Sequence, residues 1–183
     1  MKTLVQDAVV EQLQTAGEEV VRLYAAACVE RMAPLFIGLQ AGEAGREADL
    51  DFYVQSVGAL RNVDRPLPDA ADRTRRLEQF PEFQQTETGI TSIIGTYTFF
   101  AGLTLRYALL ANGSGNVDHA VSCGHTALTA MGMLDQNVTG TAFLSEEQRL
   151  QSLSASGTAA GLWDASVTAG RERFRAVLSR TTG

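Results

Sequence analysis

Lysine is nearly missing from this chain: fourteen of its fifteen basic residues are arginine, and only Lys2 is lysine. Prolines number four and cysteines two, and aromatic residues make up 7% of the 183 positions. Each shortage excludes something. Cys28 and Cys123 lie far apart, each inside an expected helix, and two thiols cannot build the disulfide frame of a small secreted domain. So few prolines leave long spans in which nothing interrupts a helix. No N-terminal stretch joins a basic region to an apolar run and a small-residue cleavage site, because Asp7 and Glu11 arrive too early. The expectation is a cytoplasmic protein with reduced, buried thiols. Phosphate-cradling glycine motifs are also absent, as is the full nucleophile elbow of a serine hydrolase; Gly113-Ser114-Gly115 reads as a turn between helices.

What is present is an ordinary globular composition, 45% apolar and 20% charged, in a chain long enough for one domain spanning 1–183. Its net charge of −6 is uneven. Residues 1–52 hold nine acids against four bases, so nearly all the excess lies in the first third. A field of that sign repels phosphate backbones and argues against nucleic acid as a partner; it favours a basic protein. Glu11, Glu18 and Glu19 are the candidate contacts. The plainer reading is a solvated acidic face.

Helical periodicity dominates. Thr3 and Gln6 form a capping box before Val9, Leu13, Ala16, Val20, Leu23 and Ala27, a stripe that continues through Gly17 and should end or kink at Pro34. Glu18 and Arg22 are spaced for a pair on the outer face. A second helix is expected over 47–62 with Leu50, Val54, Val57 and Leu60 inward, then a loop over 63–71, a short helix near 70–79 and an aromatic turn at 80–83. The uncharged run from Thr88 to Leu105 touches the length of a membrane span. Its threonines and glycines, with Arg106 close behind, assign it instead to the centre of a bundle as a helix over about 87–111. Asn116 caps a further helix carrying Val117, Ala120, Val121, Gly124, Leu128 and Met131. Ser145 to Gln148 form another capping box, opening one helix to about Arg180. The expected fold is all-α: five to seven helices around the apolar one, with no membrane contact.

Candidate chemistry is sparse. His119, Cys123 and His125 suggest metal ligation, but at about 100° per residue Cys123 and His125 point to opposite sides of a helix. His119 with Cys123 and Cys28 would still fall short of four ligands, so no metal or other cofactor is expected. The paired acids Glu18/Glu19 and Asp49/Asp51 read as outer-face or helix-start groups, and Glu146/Glu147 as acids at a helix N-terminus. A small-molecule pocket, if the bundle has one, would draw on Tyr97, Thr98, Arg106 and Tyr107 of the central helix, with Thr96 beside them; the bland alternative is hydroxyls bonded to the backbone within the bundle.

The stretch Cys28-Val-Glu30-Arg31-Met-Ala-Pro34-Leu-Phe36 ends the first long helix, and Asp118-His-Ala-Val-Ser-Cys-Gly-His lies on a later one. This arrangement resembles the small bacterial all-helical domains of the YjaG-like type, in which an A-x-x-A-E-R-L-L-P-like segment recurs and some relatives are considered immunity proteins. The resemblance implies helix order over most of the chain and carries across no catalytic residue. It marks Cys28, Glu30, Arg31 and Pro34 as a structural motif, with Glu30 and Arg31 each needing its own partner. Two function classes follow. One is a non-catalytic, immunity-like binding protein that meets a basic partner through its acidic N-terminal surface. The other is a small-molecule enzyme, or a sequestering resistance protein of a biosynthetic pathway, with a pocket in the bundle. A homodimer joined through the first or last helix is a third arrangement.

Overall fold

The computed structural model describes residues 2–84 and 89–182. Those residues form eight α-helices and a 3-10 turn, with no strand among them. In chain order they are α1 (Asp7–Thr15), α2 (Glu18–Gln40), α3 (Glu47–Leu60), α4 (Ala70–Leu77), the turn Pro81–Phe83, α5 (Ile93–Ser114), α6 (Val117–Asn137), α7 (Phe143–Ala155) and α8 (Leu162–Thr181). The all-α bundle around a central apolar helix is as expected; the number of helices is higher because two expected helices are each divided.

The first division falls at Ala16–Gly17. Gly17 is extended and opens α2, so α1 folds back against α6 and α7 and does not continue the line of α2. The second falls at Ser156–Gly161, between α7 and α8. Gly161, at φ 72°, turns the chain into α8. Only glycine adopts that left-handed backbone freely. In α8 the buried positions are Leu162, Ser166, Ala169, Gly170, Arg173 and Val177.

Pro34 neither ends nor stops α2, which runs six residues further to Gln40. Proline removes one N–H from the ladder, and the loss is offset by burial on every side: α2 packs against α3, α5, α6, α7 and α8. The Pro34 ring rests on α8 at Gly170, where a Cβ would stand 2.8 Å from the ring. Arg22, expected on the outer face, is instead 6% exposed; beside its Glu18 pair, its Nε donates to the Val63 carbonyl at 2.7 Å. On α3 the inward positions are Tyr53, Ser56 and Leu60, while Val54 faces out. Tyr53 stacks on Phe36, centroids 4.2 Å apart, and donates its hydroxyl to the Ala101 carbonyl.

The central helix α5 starts later than periodicity suggested. Thr88 lies outside the described residues, Gly89 to Thr91 are not helical, and the Ser92 side chain caps the first turn by accepting from the Gly95 N–H. It ends at Gly115, whose φ of 65° satisfies the C-terminal turn. Long and apolar enough to cross a membrane by composition, α5 instead buries Tyr97, Ala101, Leu105 and Ala108 against α2, α4 and α6. Its Arg106 pairs with Glu78.

Helix α7 begins at Phe143, two residues before the expected Ser145 cap, because the cap comes from elsewhere. The Asp135 carboxylate near the end of α6 accepts from the Phe143 N–H at 2.8 Å, the Leu144 N–H at 2.9 Å and the Thr141 hydroxyl at 2.9 Å. Partial burial opposes its ionisation, but these donors outweigh burial and hold its pKa below the usual value. Asp135→Ala should therefore lower stability by about 1–2 kcal/mol in urea unfolding. Because the folded pKa is depressed, that difference is full above the unfolded carboxylate range and shrinks as pH falls through the folded value. A wild-type to variant gap that does not narrow in acid would disprove the cap.

Candidate functional site

The polar chemistry of the chain converges in the core. Arg31 of α2 is fully buried and grips Glu147 of α7 with both prongs, Nε to Oε2 at 2.7 Å and Nη2 to Oε1 at 2.8 Å. Arg173 of α8, equally buried, donates Nη2 to the same Oε2 at 2.8 Å. Gln151, one turn after Glu147, donates to Oε1 at 2.8 Å and to the Gly124 carbonyl of α6 at 3.0 Å. Tyr24 closes the network by donating to Gln151 Oε1 at 2.7 Å. One carboxylate thus ties four helices together. Gly124 is obligatory here, because any Cβ would overlap the Tyr24 hydroxyl.

Burial of Glu147 opposes its charge, yet Arg31 and Arg173 more than reverse that and hold its pKa down at about 2. The opposite balance raises Arg31: desolvation acts against its charge, and Glu147 outweighs it. Two guanidinium groups against one carboxylate leave the cluster with an excess positive charge. Arg173 bears it less well, since its Nε and Nη1 find no acceptor among the described residues. Arg31 spends Nη1 on Ser166 and Nη2 also on Cys28 Sγ, both at 3.3 Å. Burial pushes the Cys123 thiol up, and Cys28 beside it adds to the effect. A sealed thiol that resists ionisation is a poor nucleophile. The cluster has donors, an acid and thiols, but no access.

The motif residues part company. Arg31 enters the core, whereas Glu30 pairs at 2.6 Å with Arg61, whose guanidinium lies over Trp163. Their neighbouring positions, about 100° apart, send them to different partners. Glu147 is not a solvated helix-start acid, whereas Asp49 does sit in the first turn of α3, where it bridges Arg46 and Arg76. The signal for Glu147 was its phase, since Glu147, Leu150, Gln151 and Ser154 form one buried stripe. Nothing in the R-E-R-F-R run set Arg173 apart from its neighbours.

The four expected pocket residues do not share a cavity. Tyr97 is buried near Asn137 and Arg180, Thr98 donates to the Ile94 carbonyl, and Arg106 is held by Glu78. Thr96 likewise donates to the Ser92 carbonyl. Thr98 borders a cleft beside Gln40, Glu82 and Ile90, Tyr97 a smaller one beside Asn137, and Tyr107 an open groove of about 450 Å³ between α5 and α6. The groove has an apolar wall of Phe100, Leu103 and Tyr107 and a polar wall of Asp118, Ser122 and His125, with Thr3 at one end. The Leu4 N–H donates to His125 Nδ1 at 2.9 Å, which pins the N-terminal segment there. His119 stays beside Ser114 at the surface, away from buried Cys123, and among the described residues no group of three or more His, Cys, Asp or Glu side chains could hold a metal ion. Glu11 and Glu19 are exposed, and Glu18 pairs with Arg22.

No family model, curated protein or solved structure significantly matches this chain.

Glu147→Gln should cost about 3–5 kcal/mol, because it strands two buried guanidinium groups. Arg173→Met removes the less satisfied cation and should leave stability within about 1 kcal/mol of wild type, or raise it. In acid the sign follows from the depressed carboxyl: the contribution of Glu147, about 3 kcal/mol, is full above an unfolded pKa near 4.5 and is lost as pH falls towards about 2. Urea midpoints measured across that range check all three. A neutral Glu147→Gln would remove the cluster from the account of stability.

Proposed function

We propose that this chain is a non-catalytic cytoplasmic binding protein, immunity-like in character, that recognises a basic protein through the acidic end of the bundle at the α1–α2 junction. The supporting observation is the contrast between inside and outside. Arg31, Glu147, Arg173 and both cysteines are sealed from solvent, so the groups best suited to chemistry cannot meet a substrate. Outside, Asp7, Glu11 and Glu19 stand exposed along α1 and the first turn of α2 with no ion-pair partner among the described residues, and Glu18 offers a largely open carboxylate next to Glu19. Such charge speeds encounter and selects sign, while nearby apolar anchors supply affinity.

The acidic surface is divided. Glu43, Glu47 and Asp51 lie around the far end of α2, whose 23 residues span about 34 Å. The reading uses the α1–α2 end alone. A second reading, a small-molecule enzyme or sequestering protein, draws on the groove beside Tyr107.

The test is co-expression with the products of adjoining genes, followed by co-purification at low and high salt. A basic partner should be retained by wild type, weakened by salt, and lost from Glu11→Lys with Glu19→Lys; Glu18 is kept because it pairs with Arg22. Equal retention by the charge-reversed protein would reject this surface.

A further inference from the structure

The groove between α5 and α6 has a hydrogen-bonding character that can be read atom by atom. Ser122, Thr126 and Thr129 each donate their hydroxyl proton to a helix carbonyl: Asp118 O at 2.8 Å, Ser122 O at 2.8 Å and His125 O at 2.9 Å. Their oxygens are left as acceptors only. The Asp118 backbone N–H is used by the Asn116 cap, while its carboxylate has no hydrogen-bond or ion-pair partner among the described residues. Accepting the Leu4 N–H at Nδ1 puts the proton of the neutral His125 ring on Nε2, one of few donors in the groove. Arg106, the nearby cation, is held by Glu78 and leans on the Tyr107 ring. The polar wall therefore has acceptors in excess and a single, negative charge. Opposite it, Phe100 and Leu103 offer apolar surface and Tyr107 a ring face.

From this inventory we infer that the groove binds a primary ammonium ion carried on an apolar or aromatic body. The ammonium group has three N–H donors, no acceptor and one positive charge, which is the complement of Asp118 with the Ser122 oxygen one turn along the same face. The body lies against Phe100 and Leu103, where it loses water. The Tyr107 ring, which carries Arg106, completes that wall. A carboxylate ligand would face Asp118 as a like charge, and an uncharged alcohol would bring one donor to several acceptors. This site gives the second functional reading its ligand class, and it shares no residue with the acidic α1–α2 surface.

The test uses three probes with one aromatic body: 2-phenylethylammonium, 2-phenylethanol and 3-phenylpropionate, each titrated into the full-length protein and followed by amide NMR shifts. The ammonium probe should bind most tightly, with shifts confined to Thr3–Val5 and the groove-facing turns of α5 and α6. Asp118→Asn should weaken it about tenfold, one charge-assisted contact's worth. Ser122→Ala should weaken it by a smaller factor, and the same spectra report that both variants are folded. Equal or tighter binding of the alcohol or the carboxylate would overturn the inference. So would shifts elsewhere, an unchanged affinity in Asp118→Asn, or no binding of the ammonium probe at tens of millimolar. Any of these leaves the protein-partner reading standing, because that reading depends on Glu11 and Glu19.

Discussion

Glu147 accepts hydrogen bonds from two arginines and a glutamine deep in the core. An ionised carboxylate is costly to bury alone, so it persists only where donors occupy its lone pairs. Those donors come from α2, α7 and α8, and Gln151 extends the tie to α6 and Tyr24. Packing one of these helices out of register would strand a charge in low dielectric. Apolar contacts tolerate a small slip; a bidentate guanidinium–carboxylate pair does not. The rest of the bundle is arranged around that requirement, including the glycines at 124 and 170 that let Tyr24 and Pro34 approach neighbouring helices.

The same requirement separates stability from function. The cluster is sealed from solvent, so the cysteines and the depressed carboxyl at its centre are bonded within the fold. The exterior carries two features that differ in kind. The start of the chain, along α1 and the first turn of α2, presents exposed, solvated negative charge. The α5–α6 groove presents fixed acceptors opposite an apolar wall, suited to a small ligand. The N-terminal segment lies close to both: it leads into α1 with its acids, and its Leu4 N–H holds His125 at the groove.

Much of the architecture was legible in the residues. The stripe of Ala120, Gly124, Leu128 and Met131 on α6 and the Asn116 cap stand where periodicity put them. So does the apolar character of α5, which no strand-period segment competes with. The misreadings share one cause. Helical periodicity carries across a glycine or a short turn without changing phase much, so α1 with α2, and α7 with α8, read as single helices. Pro34 was read as ending or kinking the helix, and the ending did not occur, because local rules count the lost N–H and not the neighbours that enclose α2. The four candidate pocket residues are dispersed for a related reason: Tyr97, Thr98, Arg106 and Tyr107 are close in sequence, but they point in different directions around α5 and meet different neighbours.

Periodicity, capping residues and charge are local properties, and they suffice for the helical class, most helix positions and the acidic bias of the N-terminal third. Partner choice is not local. That Arg31 would find Glu147, that Glu147 would hold Arg173 as well, and that Glu30 would turn instead to Arg61 depended on which helices lie side by side. Helix adjacency is settled by the combined burial of every apolar face at once, so no single segment encodes it. Which acids stay free for a partner, and that a wall of spent hydroxyls faces Phe100 and Leu103, follow from that packing alone.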